Sequence, residues 1–364
     1  MKIVLLGAGH IGQTIARLLH GSGDYTVTVV DRQPGALALL GAEGIRTAQI
    51  DSTDRRALLH VMTGQDAVLN ALPYHLAVQM AELAKEAGCH YFDLTEDVAA
   101  TQAIQLLAEG ASTAFMPQCG LAPGFIGIVA HDLAKRFEQV RDVQMRVGAL
   151  PAFPTNALKY NLTWSVDGLI NEYCHPCEAI HDGEPLLVLP LEGLEHFSLD
   201  GVEYEAFNTS GGLGTLCETW AGKVRHLDYK TVRYPGHRDL MMFLLQDLGL
   251  SADQENLKRI LRQSMPATMQ DVVLVFVTVS GMRNGVLVQE VFARKIFAER
   301  DHERPLSAIQ ITTAAGICAA LDLFREGRLP ATGFIRQEQV VLADFLANRF
   351  GRAYQQSRQV ESIA

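Results

Sequence analysis

The stretch Ile3-Val4-Leu5-Leu6-Gly7-Ala8-Gly9-His10-Ile11-Gly12 decides the fold. An apolar run of strand length ends in a glycine turn, and an amphipathic stretch with Ile15, Ala16, Leu18 and Leu19 follows. A second apolar run, Thr26-Val27-Thr28-Val29-Val30, closes on Asp31. The order is strand, glycine turn, helix, strand, acid, and each part has a task in holding a dinucleotide. Gly7 permits the tight turn, Gly9 lets a pyrophosphate approach the backbone, and Gly12 lets helix and strand pack closely. His10 and Ile11 open the helix, whose N-terminal N–H groups and partial positive charge suit phosphates. Asp31 stands 19 residues after Gly12, against the roughly 20 expected for the acid that receives the ribose hydroxyls. The plainer alternative is a glycine turn that only connects strand to helix.

Asp31 makes NAD the expected cofactor rather than NADP, because a 2′-phosphate there would meet like charge. Arg32 complicates this, since a neighbouring arginine can accept that phosphate.

The 364 residues suggest two domains. Net charge is −10, from 31 basic and 41 acidic side chains, with no basic run, which argues against nucleic acid or an anionic membrane surface as partner. The N-terminus reads as a strand rather than a signal peptide. No apolar stretch is expected to reach the roughly 18 residues of a membrane span, and six cysteines in a chain this long do not read as a disulfide framework. The expectation is a cytoplasmic protein with reduced thiols.

Strand and helix patterns alternate up to residue 119: strands at Ile45–Ile50, Ala67–Asn70, His90–Leu94 and Thr113–Met116, helices at Arg56–Met62, His75–Ala87 and Val98–Glu109. Such alternation predicts a Rossmann doubly wound parallel sheet. The rhythm changes at Gly120-Leu121-Ala122-Pro123-Gly124. After a helix at Ile126–Phe137 come strands without intervening helices, at Val143–Val147, Leu186–Leu189, Thr231–Tyr234, Val272–Val279 and Val286–Phe297. The last two flank a glycine-rich hairpin segment, 281–285. This reads as an α+β domain on a mixed or antiparallel sheet, inserted at 120–305 between a nucleotide domain, 1–119, and C-terminal helices, 306–364, that return to it. In the tail, Ile309, Ile317, Ala320, Leu321 and Phe324 form an apolar face at helical spacing.

Ligands bind beyond the C-terminal ends of parallel strands. Asp51-Ser52 ends the third strand, where an adenine would lie; Asn70-Ala71-Leu72-Pro73 ends the fourth, near a nicotinamide; Asp93-Leu94-Thr95-Glu96 ends the fifth. Asp51 and Asp93 read equally as caps of the following helices. Lys159-Tyr160-Asn161-Leu162-Thr163-Trp164-Ser165 reads either as a pocket wall or as an amphipathic helix start. Thr231-Val232-Arg233-Tyr234-Pro235-Gly236-His237 puts an arginine on a strand and a histidine on a loop, where it can exchange a proton near neutral pH. Cys174-His175-Pro176-Cys177, with His181, offers three metal ligands on paper. No second CxxC accompanies it, and it reads as thiols packed beside a helix, with no metal expected.

With these residues in hand, the chain resembles the saccharopine dehydrogenase-like oxidoreductases and is most similar to their single-chain lysine 6-dehydrogenase branch. The resemblance rests on the glycine turn, Asn70–Pro73, Tyr91-Phe92-Asp93-Leu94-Thr95-Glu96, Gly120–Gly124, Thr163-Trp164-Ser165 and Arg233–His237, and so spans nearly the whole chain. It implies hydride exchange between a nicotinamide and a carbon bearing an amine. In the named branch, L-lysine loses its ε-amino group and the aldehyde closes to a cyclic imine. The family also holds saccharopine, carboxynorspermidine and homospermidine enzymes, so an amino acid or a polyamine is the implied substrate class, and dimers pairing through the second-domain sheet are the implied assembly. On this reading Glu96 and His237, with Lys159 behind them, are the candidate proton acceptors. Arg233 receives the substrate carboxylate, and Tyr160, Trp164 and Ser165 line the substrate. Gly7, Gly9, His10, Ile11, Gly12, Asp31, Arg32, Asp51, Ser52, Asn70–Pro73 and Thr95 hold the nucleotide. A protein that binds NAD as a sensor, without turnover, is the alternative of another class.

Overall fold

The structure is a computed structural model and describes residues 1–301 and 304–355. The chain divides into two compact units, Met1–Ile128 with Thr312–Ala353, and a second built on Val129–Ile311.

The first unit alternates as expected: β1 (Lys2–Leu6), α1 (His10–Gly21), β2 (Thr26–Asp31), α2 (Pro34–Ala42), β3 (Arg46–Gln49), α3 (Arg55–Met62), β4 (Ala67–Asn70), α4 (Ala77–Ala87), β5 (His90–Asp93), α5 (Val98–Ala108) and β6 (Ala114–Met116). A two-residue strand, Gly333–Phe334, lies beside β6, and the full order is Gly333–Phe334, β6, β5, β4, β1, β2, β3, with every neighbour parallel. From β1 the chain steps outward to β3 on one side, then crosses back to β4. The strand order therefore reverses between β1 and β4, the place where such sheets bind ligands. Both strands are covered on both faces, which is why Ile3–Leu6 and Ala67–Leu69 are apolar without alternation.

The caps differ from expectation. Asp51 folds into a local turn, accepting from the backbone N and Oγ1 of Thr53, and Asp54 caps α3 by accepting from Ala57 N at 3.0 Å. Asp97, not Asp93, caps α5, accepting from Ala100 N at 2.7 Å.

The second unit is built on a mixed sheet. α6 (Phe125–Ala134) leads into a 13-residue strand, β7 (Gln139–Pro151). Then follow α7 (Val166–Cys174), β8 (Cys177–His181), β9 (Glu184–Val188), β10 (Glu195–Leu199), β11 (Val202–Asn208), α8 (Leu216–Trp220), β12 (His226–Arg233), α9 (His237–Met242), α10 (Gln254–Ser264), β13 (Asp271–Arg283) and β14 (Val286–Phe297). The order is β10-β11-β12-β7-β13-β14, with the β8–β9 hairpin attached to β12. β12 and β7 run parallel and the other pairs are antiparallel. The turn between β13 and β14 is Asn284-Gly285, both at positive φ (53° and 72°). That is the conformation a two-residue hairpin turn demands, and Arg283 pairs with Val286 across it. Phe207, Tyr160, Tyr173, Met241, Leu257 and Leu261 form a core cluster that unites β11 with residues of α7, α9 and α10.

α11 (Ala308–Arg325) opens beside Asp271, whose carboxylate accepts from the N–H groups of Ala308 and Ile309 at 2.5 and 3.0 Å. From Thr312 on it belongs to the first unit. There Phe324 meets the rings of His90 and Phe92 on β5 edge-on, and Gly316 lies so close to Cys119 that a Cβ would stand 2.6 Å from its carbonyl oxygen. The buried Asp322 carboxylate accepts from Tyr25 Oη, Asn348 Nδ2 and Arg349, tying the tail, including α12 (Leu342–Ala347), to β2. The expectation that no segment reaches spanning length is corrected here: α11 is long and apolar enough, although 78% of it is buried inside the protein, as in a core helix.

Candidate functional site

The glycine turn is shaped by contacts that only glycine tolerates at two of its three positions. A Cβ on Gly12 would stand 2.0 Å from the Gly7 carbonyl oxygen, and one on Gly7, at φ +99°, would stand 2.9 Å from that of Ala71. Around Gly9 nothing lies within 4 Å of where a Cβ would be. Its bareness serves no packing need and leaves space against the backbone. Gly9 is also the N-cap of the 12-residue α1, which has no side-chain cap and no acid in its first turn. Open space in front of an uncapped helix end fits a pyrophosphate.

The turn is braced by Asp31, whose Oδ2 accepts from Ala8 N at 2.7 Å and whose Oδ1 accepts from Gln33 N at 2.8 Å. Gln13 Nε2 donates to the Ala8 carbonyl. Arg32 beside it is exposed. Ser52, next to the Asp51 turn, accepts through its carbonyl from Gln79 Nε2.

The Asn70–Pro73 segment faces this turn through Ala71, whose N–H donates to Leu6 O. Asn70 is buried; its Nδ2 donates to Tyr91 Oη and its Oδ1 accepts from Leu72 N. Behind it, Asp93 is wholly enclosed. Its Oδ1 accepts from the N–H groups of Thr95 and Gln118, and its Oδ2 from Tyr91 Oη, each at 3.0 Å. Burial pushes its carboxyl up to about 6 in spite of these bonds. Asp93 therefore fastens the ends of β5 and β6. Thr95 is buried and accepts from Asp97 N. Glu96, half-buried between them, sits on the loop beyond the C-terminal end of β5.

In the second unit the residues singled out by sequence do not share one environment. Ser165 is exposed and is the N-cap of α7, its hydroxyl accepting from Gly168 N; this is the helix-start reading of that segment. Lys159, exposed and at φ +49°, donates through Nζ to the carbonyl of Pro235. Trp164 is half-buried and packs on the α7–α9–α10 core.

Tyr160, Arg233 and His237, in contrast, converge. Arg233 is 2% exposed. Its guanidinium carbon lies 5.2 Å from the ring centre of Tyr160 and 5.8 Å from that of Tyr173. Nε donates to Tyr173 Oη at 3.0 Å and Nη1 to its neighbour's carbonyl, Val232 O, at 2.8 Å. Tyr173 Oη meets His237 Nε2 at 3.1 Å, and His237 Nδ1 meets Leu158 O at 2.9 Å. A carbonyl can only accept, so Nδ1 carries the imidazole proton. Nε2 then accepts from the tyrosine hydroxyl, whose oxygen accepts from Arg233. Every direction in the chain Arg233–Tyr173–His237–Leu158 follows.

His237 departs from expectation. It is not on a loop but is the first residue of α9, with Gly236 in left-handed conformation before it, and it is fully buried. Burial first, and the Arg233 cation second, bring its pKa down to about 3. It is a neutral imidazole at physiological pH and exchanges no proton there; it orients Tyr173.

What distinguishes Arg233 is the missing counter-charge. Elsewhere in the same sheet Arg146, 3% exposed, is held by the carboxylates of Glu195 and Asp228. Arg233, buried to the same depth, has no carboxylate within ion-pair distance among the described residues. Tyr173 and Tyr160, then Glu172 from beyond ion-pair distance, favour its charge electrostatically against the cost of burial. A buried cation without a counter-charge is costly, and three of its five N–H groups, one on Nη1 and both on Nη2, remain for an anion.

Tyr173 and the Leu158 carbonyl were not among the expected site residues. Tyr173 sits on the buried face of α7, 60 residues from Arg233, and carries no local mark that separates it from an ordinary core tyrosine. All six cysteines are free of disulfides, and burial pushes the Cys177 thiol up to about 12.

A doubly wound parallel sheet with a bare glycine turn at its strand-order reversal defines a Rossmann-type dinucleotide-binding unit, and a second unit is built on a mixed sheet. The chain belongs to the saccharopine dehydrogenase family: residues 120–352 match the saccharopine dehydrogenase C-terminal domain and residues 3–114 the saccharopine dehydrogenase NADP binding domain. Saccharopine dehydrogenase [NADP(+), L-glutamate-forming] of Saccharomyces cerevisiae is 25% identical over 176 residues, covering 46% of this chain and 40% of that protein, so the shared segment spans well under two thirds of the relative. The solved apo saccharopine dehydrogenase (L-Glu forming) of the same yeast superposes with a TM-score of 0.79 at 17% identity, over 96% of this chain and 98% of that one; the two share a fold. A myo-inositol dehydrogenase from Corynebacterium glutamicum reaches a TM-score of 0.47 at 15% identity, over 98% and 96% of the two chains, which carries no argument.

Proposed function

We propose that this protein is an NAD-dependent dehydrogenase acting on a C–N bond of an amino acid, with oxidation of L-lysine at its ε-carbon as the specific reaction. The observation that carries the amino-acid part is Arg233, a buried guanidinium with open N–H directions and no carboxylate of its own. A substrate carboxylate supplies the charge it lacks, and the tyrosines that flank it exclude water and strengthen the pair.

The nucleotide, when bound, supplies C4 of its nicotinamide as hydride acceptor. The remaining work falls to side chains. Gly9 and the α1 N-terminus receive the pyrophosphate, and Asp31 the ribose hydroxyls. Asn70–Pro73 bounds the nicotinamide end. The amine must be neutral before its carbon gives up a hydride, so a base must take a proton. With His237 held neutral and Lys159 engaged to Pro235, Glu96 takes that role. Tyr173, oriented by His237, fixes Arg233 and thereby the substrate carboxylate. NAD is favoured over NADP because Asp31 presents a carboxylate where a 2′-phosphate would sit.

A second reading, hydride exchange at the secondary amine of saccharopine with NADP, is favoured by the yeast relative's NADP(+) and L-glutamate-forming activity. The test is purified protein with NAD or NADP and, in turn, L-lysine, saccharopine and polyamines, followed by absorbance of the reduced nucleotide. Reduction of NAD by L-lysine supports the first reading and turnover of saccharopine alone supports the second. Tight nucleotide binding with no reduction by any amine removes both and leaves a sensor.

A homodimer is also proposed. Val286, Leu287 and Val291 on the outer strand β14 are each at least half exposed, an apolar edge that suits burial against a second copy. Light scattering after size exclusion decides it; a monomer at micromolar concentration ends the idea.

A further inference from the structure

The hairpin turn Asp182-Gly183 and the start of β12 bring together three side chains that the dehydrogenase reading does not use. His181 is the last residue of β8 and His226 the first of β12, and Leu227 pairs with Ile180 in antiparallel register. That register places His181 and His226 opposite one another, and their rings lie 4.6 Å apart, centre to centre. Asp182 joins them: its Oδ2 is 3.5 Å from His181 Nε2 and its Oδ1 is 3.8 Å from His226 Nε2. One ligand atom from each of the three lies within 4.8 Å of the others. Ligands held about 2.0–2.1 Å from a tetrahedral ion stand roughly 3.3 Å apart, so rotamer adjustments of a fraction of an ångström to about 1.5 Å close the set.

We propose that His181, Asp182 and His226 form a binding site for a borderline divalent transition-metal ion, Zn²⁺ or Ni²⁺, with solvent in the remaining positions. Two imidazoles and a single carboxylate suit such ions and not Mg²⁺ or Ca²⁺, which take oxygen ligands. Arg225 completes the arrangement: its Nε donates to Asp182 Oδ1 at 2.9 Å and orients the carboxylate, as hydrogen-bonding groups behind a metal ligand commonly do. It leaves Oδ2, on the His181 side, for the ion. The three side chains are 67%, 59% and 32% exposed, so an ion reaches them without opening the fold. The consequence is mechanical. β8 pairs with β12 at Ile180 and Leu227, and Gly183 in the hairpin turn donates to Arg225 O and accepts from Gly222 N. A bound ion adds a cross-link one residue from that pair and fastens the hairpin that follows α7, the helix carrying Tyr173.

The test is calorimetric titration of ZnCl2 and NiCl2 into the full chain without an affinity tag. Four proteins are compared: wild type, His181→Ala, His226→Ala, and the double variant Cys174→Ser with Cys177→Ser. The expected result is one equivalent bound by the wild type and by the cysteine variant, lost in each histidine variant. Both histidines are at the surface, and unchanged circular dichroism shows that their replacement leaves the fold intact. MgCl2 titrated into the wild type should give no binding heat. No binding of either transition metal to the wild type, unaltered binding in both histidine variants, or loss in the cysteine variant would each overturn the assignment.

Discussion

The two candidate sites, one in each unit, are built in different ways. The glycine turn of the first unit lies within six consecutive residues, offers backbone to the proposed ligand, and needs from side chains mainly that they be absent. The arginine cluster of the second unit draws on residues 158, 160, 173, 233 and 237, offers a side chain to the proposed ligand, and depends on a hydrogen-bond chain whose members lie on four separate segments. A backbone site is a local property and leaves a motif. A side-chain site assembled by packing leaves only isolated residues of suitable chemistry.

The strongest test of the contrast is Arg233→Ala. If Arg233 binds a substrate carboxylate, kcat/KM should fall roughly 30-fold to several-thousandfold, the equivalent of about 2–5 kcal/mol for a truncated buried charge pair. Most of the loss should lie in KM, since the pair is made in ground and transition states alike. NAD affinity should stay within about twofold. A wild-type KM would place the carboxylate elsewhere and remove the second half of the comparison.

Glu96→Gln should lower kcat about 10²-fold, the lower end of the acid–base range, with little change in nucleotide affinity. A pH–rate profile of the wild type should show no limb assignable to His237, because its imidazole stays neutral down to about pH 3. Unchanged kcat in the glutamine variant would remove Glu96 as proton acceptor.

In the glycine turn, Gly12→Ala and Gly9→Ala should part company. The first pushes a methyl to 2.0 Å from the Gly7 oxygen, backbone that cannot move aside, and should lose at least about 1–3 kcal/mol of stability together with nucleotide binding. The second meets nothing within 4 Å, so stability should stay within about 0.5 kcal/mol. Its nucleotide Kd should nevertheless rise roughly tenfold or more, for one charge-assisted bond of about 1.5–3 kcal/mol. Denaturant unfolding and calorimetry read the two effects separately, and equal behaviour of the two variants would break the argument.

A further contrast lies in pH dependence, where the two units pull in opposite directions. His237 has a folded pKa of about 3, below its unfolded value of about 6.5. Between these the unfolded state binds the extra proton, and stability is lost as pH falls from about 6.5 toward 3. Asp93 has a folded pKa of about 6, above its unfolded value of about 3.9, so the folded state binds the extra proton and stability is lost as pH rises from about 4 to 6. Asp93→Asn should remove that loss at little structural cost. The amide oxygen can accept from Thr95 N and Gln118 N, and the new NH2 can donate to Tyr91 Oη, whose single proton is then free to turn to Ala77 O. The rise of unfolding midpoint with pH should steepen in Asp93→Asn and flatten in His237→Gln. A parallel shift with no change of slope would show that neither group titrates between these states.

The sequence by itself determined the first unit: the order β1 to β6, the reversal that sets the nucleotide end, and Gly7, Gly9, Gly12 and Asp31 are readable because strand periodicity, helix periodicity and backbone freedom act over a few residues. It also marked Arg233 and Tyr160, since an arginine inside an apolar strand is chemically conspicuous. The tertiary structure alone decided what those residues do. It moved His237 from a loop to a buried helix start, turned Ser165 into a cap, and took Asp93 from cap to the junction of β5 and β6. It also brought Tyr173 to Arg233 and set His181 against His226. Each of these outcomes depends on burial or on contacts between residues distant in the chain, and solvation and long-range proximity are not written in local sequence.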